Sequence, residues 1–172
     1  MRIFRWYWLV IIFIITGLGC VNPSLHAAKI NQPVAQKTVP SNIVAKGIVL
    51  IDLEGAPVNL SRYIGKPVIL FFWTTWCPYC REELKILNRQ AALMTKEGIV
   101  VIGVNLSESQ SKVQRFFKGY WLNFKMLLDK NGLLADKYDL MGVPTYVFLN
   151  KEGKEISQAH SFPLNYQDLL LK

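Results

Sequence analysis

Val68-Ile69-Leu70-Phe71-Phe72-Trp73-Thr74-Thr75-Trp76-Cys77-Pro78-Tyr79-Cys80 decides the reading of this chain. Six consecutive apolar residues, Val68 to Trp73, suit a strand buried on both faces, as in a parallel or mixed sheet covered by helices. Pro78 suits the first turn of a helix, because the N–H it lacks would have no intrahelical partner there. From that point to Lys96, the residues Leu84, Leu87, Ala91 and Met94 recur at helical spacing, and Gly98 ends the run. Cys77 and Cys80 therefore stand two residues apart at a strand-to-helix junction. Free backbone N–H groups and the helix dipole favour an anion at such a point. Cys77, first on the helix, gains most and is the expected nucleophile. Cys80 lies one turn on, within reach of the same sulfur but deeper, and is the expected resolving thiol.

Outward from this segment, residues 47–52 read as a strand, Glu54-Gly55 as a turn and residues 57–60 as a second short strand, together a hairpin. Residues 61–65 read as a turn of helix. Beyond the motif, the reading is a fully apolar strand over 99–104 and an amphipathic helix over 107–119 with Val113, Phe116 and Phe117 on one face. Then come a strand over 124–128 and a short helix over 133–138. The strand 145–149 follows Met141-Gly142-Val143-Pro144, a turn at 150–153 leads to a strand over 154–158, and a last short helix covers 165–171. Strands alternating with helices and closing on a hairpin indicate an α/β domain with a mixed sheet.

The N-terminus has a different character. Arg2 and Arg5 precede the apolar stretch 6–15, and Thr16-Gly17-Leu18-Gly19-Cys20 follows. That is the pattern of an export signal. Residues 1–20 are assigned to a signal or membrane-anchor segment, with lipidation at Cys20, an uncleaved anchor and cleavage near Ala27-Ala28 as the three outcomes. Residues 21–46 hold Pro23, Pro33 and Pro40 among polar residues and read as a flexible linker; residues 47–172 form the domain. All three outcomes place the thiols in a compartment where disulfides persist. The formal charge is +8 and the basic residues are scattered, which argues against nucleic-acid binding.

The cysteine pair has three other readings. A zinc site needs about four ligands, and Cys20, His26 and His160 are not at ligand spacing. A purely structural bridge over two residues would constrain little chain entropy. A copper carrier would need His160 as a distant third ligand.

With Phe72–Cys80, Glu83, Val143-Pro144-Thr145 and Asn150-Lys151-Glu152-Gly153-Lys154 in view, the domain resembles the TlpA/ResA type of thioredoxin-like thiol–disulfide oxidoreductases, which are tethered to bacterial membranes. The resemblance implies a thioredoxin-like fold: a mixed central sheet flanked by helices, with an N-terminal β-hairpin and a central helix-plus-strand insertion over 107–128. It implies a cis Val143–Pro144 peptide facing the cysteines, backbone pairing of Val143 with a client strand, and a shielding role for Trp76. Trp76, Pro78, Tyr79, Val143 and Pro144 become the expected substrate-binding residues. Glu83 becomes the acidic residue that tunes the thiols of Cys77 and Cys80. The same resemblance implies no cofactor beyond the Cys77–Cys80 disulfide and no metal. The implied partners are disulfide-bearing exported proteins, apocytochromes c among them, and a membrane thiol-transfer electron donor. The implied place is the extracytoplasmic face of the cytoplasmic membrane.

Two features depart from the type, the dipeptide between the cysteines and a short C-terminal tail. Pro78-Tyr79 stands between the cysteines where the family usually has proline directly before the second, so a potential less reducing than that of thioredoxin is expected. The buried aspartate of plain thioredoxins is replaced by Phe71. A thiol peroxidase is the runner-up, because Thr74 lies three residues before Cys77, although Leu70 stands where peroxiredoxins have proline.

Overall fold

The computed structural model describes residues 47–171, and the assignments made for residues 1–20 and 21–46, including Cys20 and His26, lie outside them. Seven strands form one sheet in the order β2-β1-β5-β4-β3-β6-β7. Strand β3, Val68–Trp73, is buried at every position, and its neighbour β4, Val100–Leu106, runs parallel to it. The next strand outward, β5 at Lys125–Asp129, is also parallel to β4. On the other side of β3 lies β6, Thr145–Leu149, antiparallel, followed by β7 at Glu155–Ala159. The hairpin of β1, Val49–Asp52, and β2, Pro57–Asn59, joins the sheet through antiparallel pairing of β1 with β5.

The continuous apolar run of β3 is explained by what covers it. Ile69, Phe71 and Trp73 face one core, built with Leu84, Leu87, Ala91 and Met94 of helix α1, Pro78–Lys96. Helix α2, Gln110–Phe116, adds Val113 to that core, and helix α4, Tyr166–Leu170, adds Tyr166 and Leu170. Val68, Leu70 and Phe72 face a second core with Leu134 of helix α3, Leu133–Lys137, and with Leu60 of the 3-10 turn Leu60–Tyr63. Alternate side chains of one strand thus enter different cores, which is the period-two rule applied to a sheet with two covered faces.

The elements match the expectations with shifted ends. The helix expected over 107–119 spans only Gln110–Phe116. Ser107 has a left-handed backbone (φ 56°), and Ser109 caps the helix by accepting from the Lys112 N–H, so the chain cannot turn helical earlier. The inserted α2–β5 segment places β5 between β4 and the N-terminal hairpin, so the hairpin extends the central sheet.

Candidate active site

Cys77 is the N-cap residue of α1 with an extended backbone (φ −81°, ψ 112°), and Pro78 opens the helix. Cys77 and Cys80 are joined in a disulfide, their Cα atoms 5.2 Å apart. The N–H of Cys80 points at the Cys77 sulfur, 3.1 Å away, as a capping hydroxyl would be addressed in an ordinary helix start. That N–H can hold the same sulfur when it becomes a thiolate. Cys80 is fully buried, whereas Cys77 keeps 4% of its surface exposed. Both residues of the pair are buried, Cys77 marginally less so.

The loop before β6 closes over this pair. The Val143–Pro144 peptide is cis, and the Val143 carbonyl oxygen lies 3.9 Å from the Cys77 sulfur. Thr145 ties the loop back by donating its hydroxyl hydrogen to the Gly142 carbonyl (2.7 Å). His160 Nδ1 sits 3.0 Å from the Pro144 carbonyl and 3.2 Å from the Thr145 oxygen. Since a carbonyl only accepts and the Thr145 hydrogen is already committed, His160 Nδ1 carries the proton at this contact.

Of the residues expected at the site, Cys77, Cys80 and Val143 are brought together, and Pro144 follows Val143 through the cis peptide. Trp76 and Tyr79 are 66% and 78% exposed and line different clefts. Tyr79 and Pro78 line a cleft of about 420 Å³ against Phe116, Phe117 and Tyr120. Trp76 lines a second of about 500 Å³, together with Met141, Gly142 and Val143. Both clefts are lined by residues next to the cysteines in sequence, Pro78 and Tyr79 in one and Trp76 in the other.

Glu83, on α1, does not project freely into water. One carboxylate oxygen accepts from the Tyr146 hydroxyl (2.9 Å) and from the Phe162 N–H (3.0 Å). Burial first, and the nearby Glu83 charge second, push the Tyr146 phenol far above its ordinary value, so it remains a donor. Phe71, which stands where plain thioredoxins have a buried aspartate, packs against Tyr146 with ring centroids 4.6 Å apart. An arene pair fills that space.

One acidic residue escaped the sequence reading. Glu108 follows the end of β4, is 7% exposed, and accepts from both the N–H and the hydroxyl of Thr75, each at 2.7 Å. Asn105 donates to it at 2.7 Å, and Lys112 pairs with it at 2.6 Å. Burial works to raise its pKa, but the bonds from Lys112, Asn105 and Thr75 outweigh it and hold the carboxyl below its ordinary value. The only available signal was its place after the carboxyl end of a central parallel strand, where sites of open α/β sheets gather.

A sheet with two covered faces, a disulfide-bonded Cys-Pro-Tyr-Cys helix start and a cis-proline loop opposite it define a thioredoxin-like protein with a candidate dithiol centre. The chain belongs to the AhpC/TSA family, whose profile matches residues 32–156. It is 37% identical over 112 residues to the thiol–disulfide oxidoreductase ResA of Bacillus subtilis (strain 168), covering 65% of this chain and 63% of that one. The match thus spans just under two thirds of that relative's length. Among solved structures, it is similar to a secreted Mycobacterium tuberculosis disulfide oxidoreductase homologous to Escherichia coli DsbE, at TM-score 0.59 and 30% identity, over 68% of this chain and 84% of the other. It is also similar to the exposed lipoprotein thioredoxin Etrx1 of Streptococcus pneumoniae, at TM-score 0.62 and 29% identity, over 72% and 94%.

Proposed function

We propose that this protein is an extracytoplasmic thiol–disulfide oxidoreductase that reduces disulfides of exported proteins through Cys77 and Cys80. The observation that carries the reading is the Cys77–Cys80 disulfide at the start of α1, with the Cys77 sulfur 3.9 Å from the Val143 carbonyl oxygen. In the reduced protein the Cys77 thiolate attacks one sulfur of a client disulfide. A mixed disulfide forms and the other client sulfur leaves as a thiolate. The Cys80 thiolate then attacks the Cys77 sulfur, which releases the client's second thiol and closes the Cys77–Cys80 disulfide. Two electrons pass to the client, and a membrane thiol-transfer protein restores the dithiol.

Val143 offers its backbone to the client strand, so recognition rests largely on main-chain pairing. Trp76, Pro78 and Tyr79 supply contact surface in the two clefts, and Glu83 tunes the thiols from one turn beyond Cys80. The domain is tethered through residues 1–20, by an anchor or a lipid on Cys20, with 21–46 as linker. The similarity to ResA, to a secreted oxidoreductase and to an exposed lipoprotein thioredoxin supports this placement. Cytochrome c precursors awaiting haem are the proposed clients.

Cys80→Ser leaves the attacker in place and removes the resolver, so mixed disulfides on Cys77 persist. Trapping in cells followed by identification of the partner should return an exported disulfide protein. A Cys80→Ser protein that traps nothing, with wild type inert toward a disulfide-bonded test protein, would sink the proposal. Thiol peroxidase chemistry is the second reading. It draws on the Thr74 hydroxyl, which is buried and has no hydrogen-bond partner among the described residues. Rapid peroxide consumption by the reduced protein would favour it.

A further inference from the structure

The bonds of Glu108 reach across the chain to the loop that carries Cys77. Thr75 lies two residues before Cys77, and Glu108 takes both of its donors, the N–H on Oε2 and the hydroxyl on Oε1. Asn105, which donates to the same Oε2, is the residue of β4 paired in register with Trp73, the last residue of β3. One buried carboxylate therefore binds the loop leaving β3 to the end of the neighbouring strand. All four contacts bring hydrogens to the carboxylate, and carboxylate bonds of this kind are shorter and stronger than neutral ones. Thr75 belongs to no strand or helix, so without Glu108 its N–H would lose the one partner shown for it.

We propose that Glu108 is a positioning residue of the disulfide centre: by holding Thr75 it keeps the Cys77 loop seated over the start of α1, and so keeps the Cys77 sulfur in reach of Cys80. This rests on the redox reading above. Two thiols held close behave as if at high mutual concentration, which favours the closed disulfide and speeds its formation from a mixed disulfide. Loosening the loop lowers that effective concentration in both respects. Lys112 neutralises Glu108, so the effect comes from the tie and not from a net charge near the sulfur.

The test compares Glu108→Ala with Glu108→Gln in equilibrium with glutathione and glutathione disulfide. Gln can keep its oxygen toward the Thr75 N–H and Asn105, and turn its amide toward the Thr75 hydroxyl, which can accept. Lys112 is about half exposed and can turn to water. Glu108→Ala should lower the equilibrium constant for forming the Cys77–Cys80 disulfide about tenfold, equivalent to about 30 mV toward a more oxidising potential. It should slow the resolution step by a similar factor, read as loss of the glutathione mixed disulfide on Cys77, in which the Cys80 thiolate displaces glutathione. Glu108→Gln should stay within about twofold of wild type on both measures, since the tie survives.

Wild-type values in Glu108→Ala, with only the unfolding midpoint lowered, would overturn the proposal. So would a Glu108→Gln protein as altered as Glu108→Ala. If Glu108→Ala does not fold, Thr75→Val removes the hydroxyl bond alone and should shift the equilibrium constant about two- to fivefold in the same direction. No shift there overturns the proposal as well. A wild-type protein that fails to exchange with glutathione at all would instead refute the redox reading, a result distinguishable from either.

Discussion

Replacing Tyr146 by Phe tests whether Glu83 is held in place. The Tyr146 hydroxyl donates to the Glu83 carboxylate at 2.9 Å, and the Phe162 N–H donates to the same oxygen at 3.0 Å. Tyr146 is fully buried, with its ring packed against Phe71, Phe148 and Phe162. Phe keeps those contacts, and the substitution removes only the O–H. A hydrogen bond to a charged group is worth roughly 1.5–3 kcal/mol net, but Phe162 still serves Glu83, so the loss for Tyr146→Phe should be about 1–2 kcal/mol. Glu83→Ala strands both the buried phenol and the Phe162 N–H and should cost more, about 2–4 kcal/mol. Glu83→Gln can place its oxygen where both donors meet, and should cost less than Glu83→Ala. Urea unfolding of the oxidised proteins measures each loss. Combining Tyr146→Phe with Glu83→Ala completes a double-mutant cycle whose coupling should be about 1–2 kcal/mol. A coupling below about 0.3 kcal/mol would mean the pair is not made in solution, and that Glu83 is a solvated surface carboxylate.

Gly103→Ala inserts a methyl at the centre of β4, where a Cβ would fall 2.5 Å from Met126 Cε, 2.8 Å from its sulfur and 3.0 Å from Phe124. Met126 is buried and its sulfur accepts from Trp73 Nε1, so the expected loss is about 1–3 kcal/mol of stability, read by urea unfolding and partly restored by Met126→Val; an unchanged midpoint would refute this packing. Asp52 is held below its ordinary pKa chiefly by the Lys125 hydrogen bond, with burial opposing and the Ala56 and Glu54 N–H groups assisting. A lowered folded pKa contributes stability that is present above the unfolded value of 3.8 and is lost as pH falls below it. Asp52→Asn should therefore lower the unfolding midpoint at neutral pH by an amount that shrinks between pH 5 and pH 2, and a gap constant across that range would contradict the assignment.

Much of this protein is written in local pattern. The six apolar residues of β3 could be read as a two-faced strand because nothing polar interrupts them. Leu84, Leu87, Ala91 and Met94 could be read as one helix face because their spacing is that of a helix; all four are buried. The cysteine pair was legible because Pro78 marks the helix start beside it. The start of α2 was misplaced, because Ser107 and Glu108 are polar residues that fit a helix as well as a loop. What excludes them is a left-handed backbone at Ser107 and a carboxylate drawn back to Thr75.

By itself the sequence determined the α/β class, the order of elements and the place of Cys77 and Cys80 at a strand-to-helix junction, because these follow from hydrophobic period and helix-start chemistry within a few residues of chain. Only the tertiary structure decided what surrounds the sulfurs. Val143 comes to Cys77 from 66 residues away, Glu83 finds its donor on β6, and Glu108 reaches Thr75 across 33 residues. Contacts at such separations depend on which strands lie side by side, and strand order is set by the packing of both cores together.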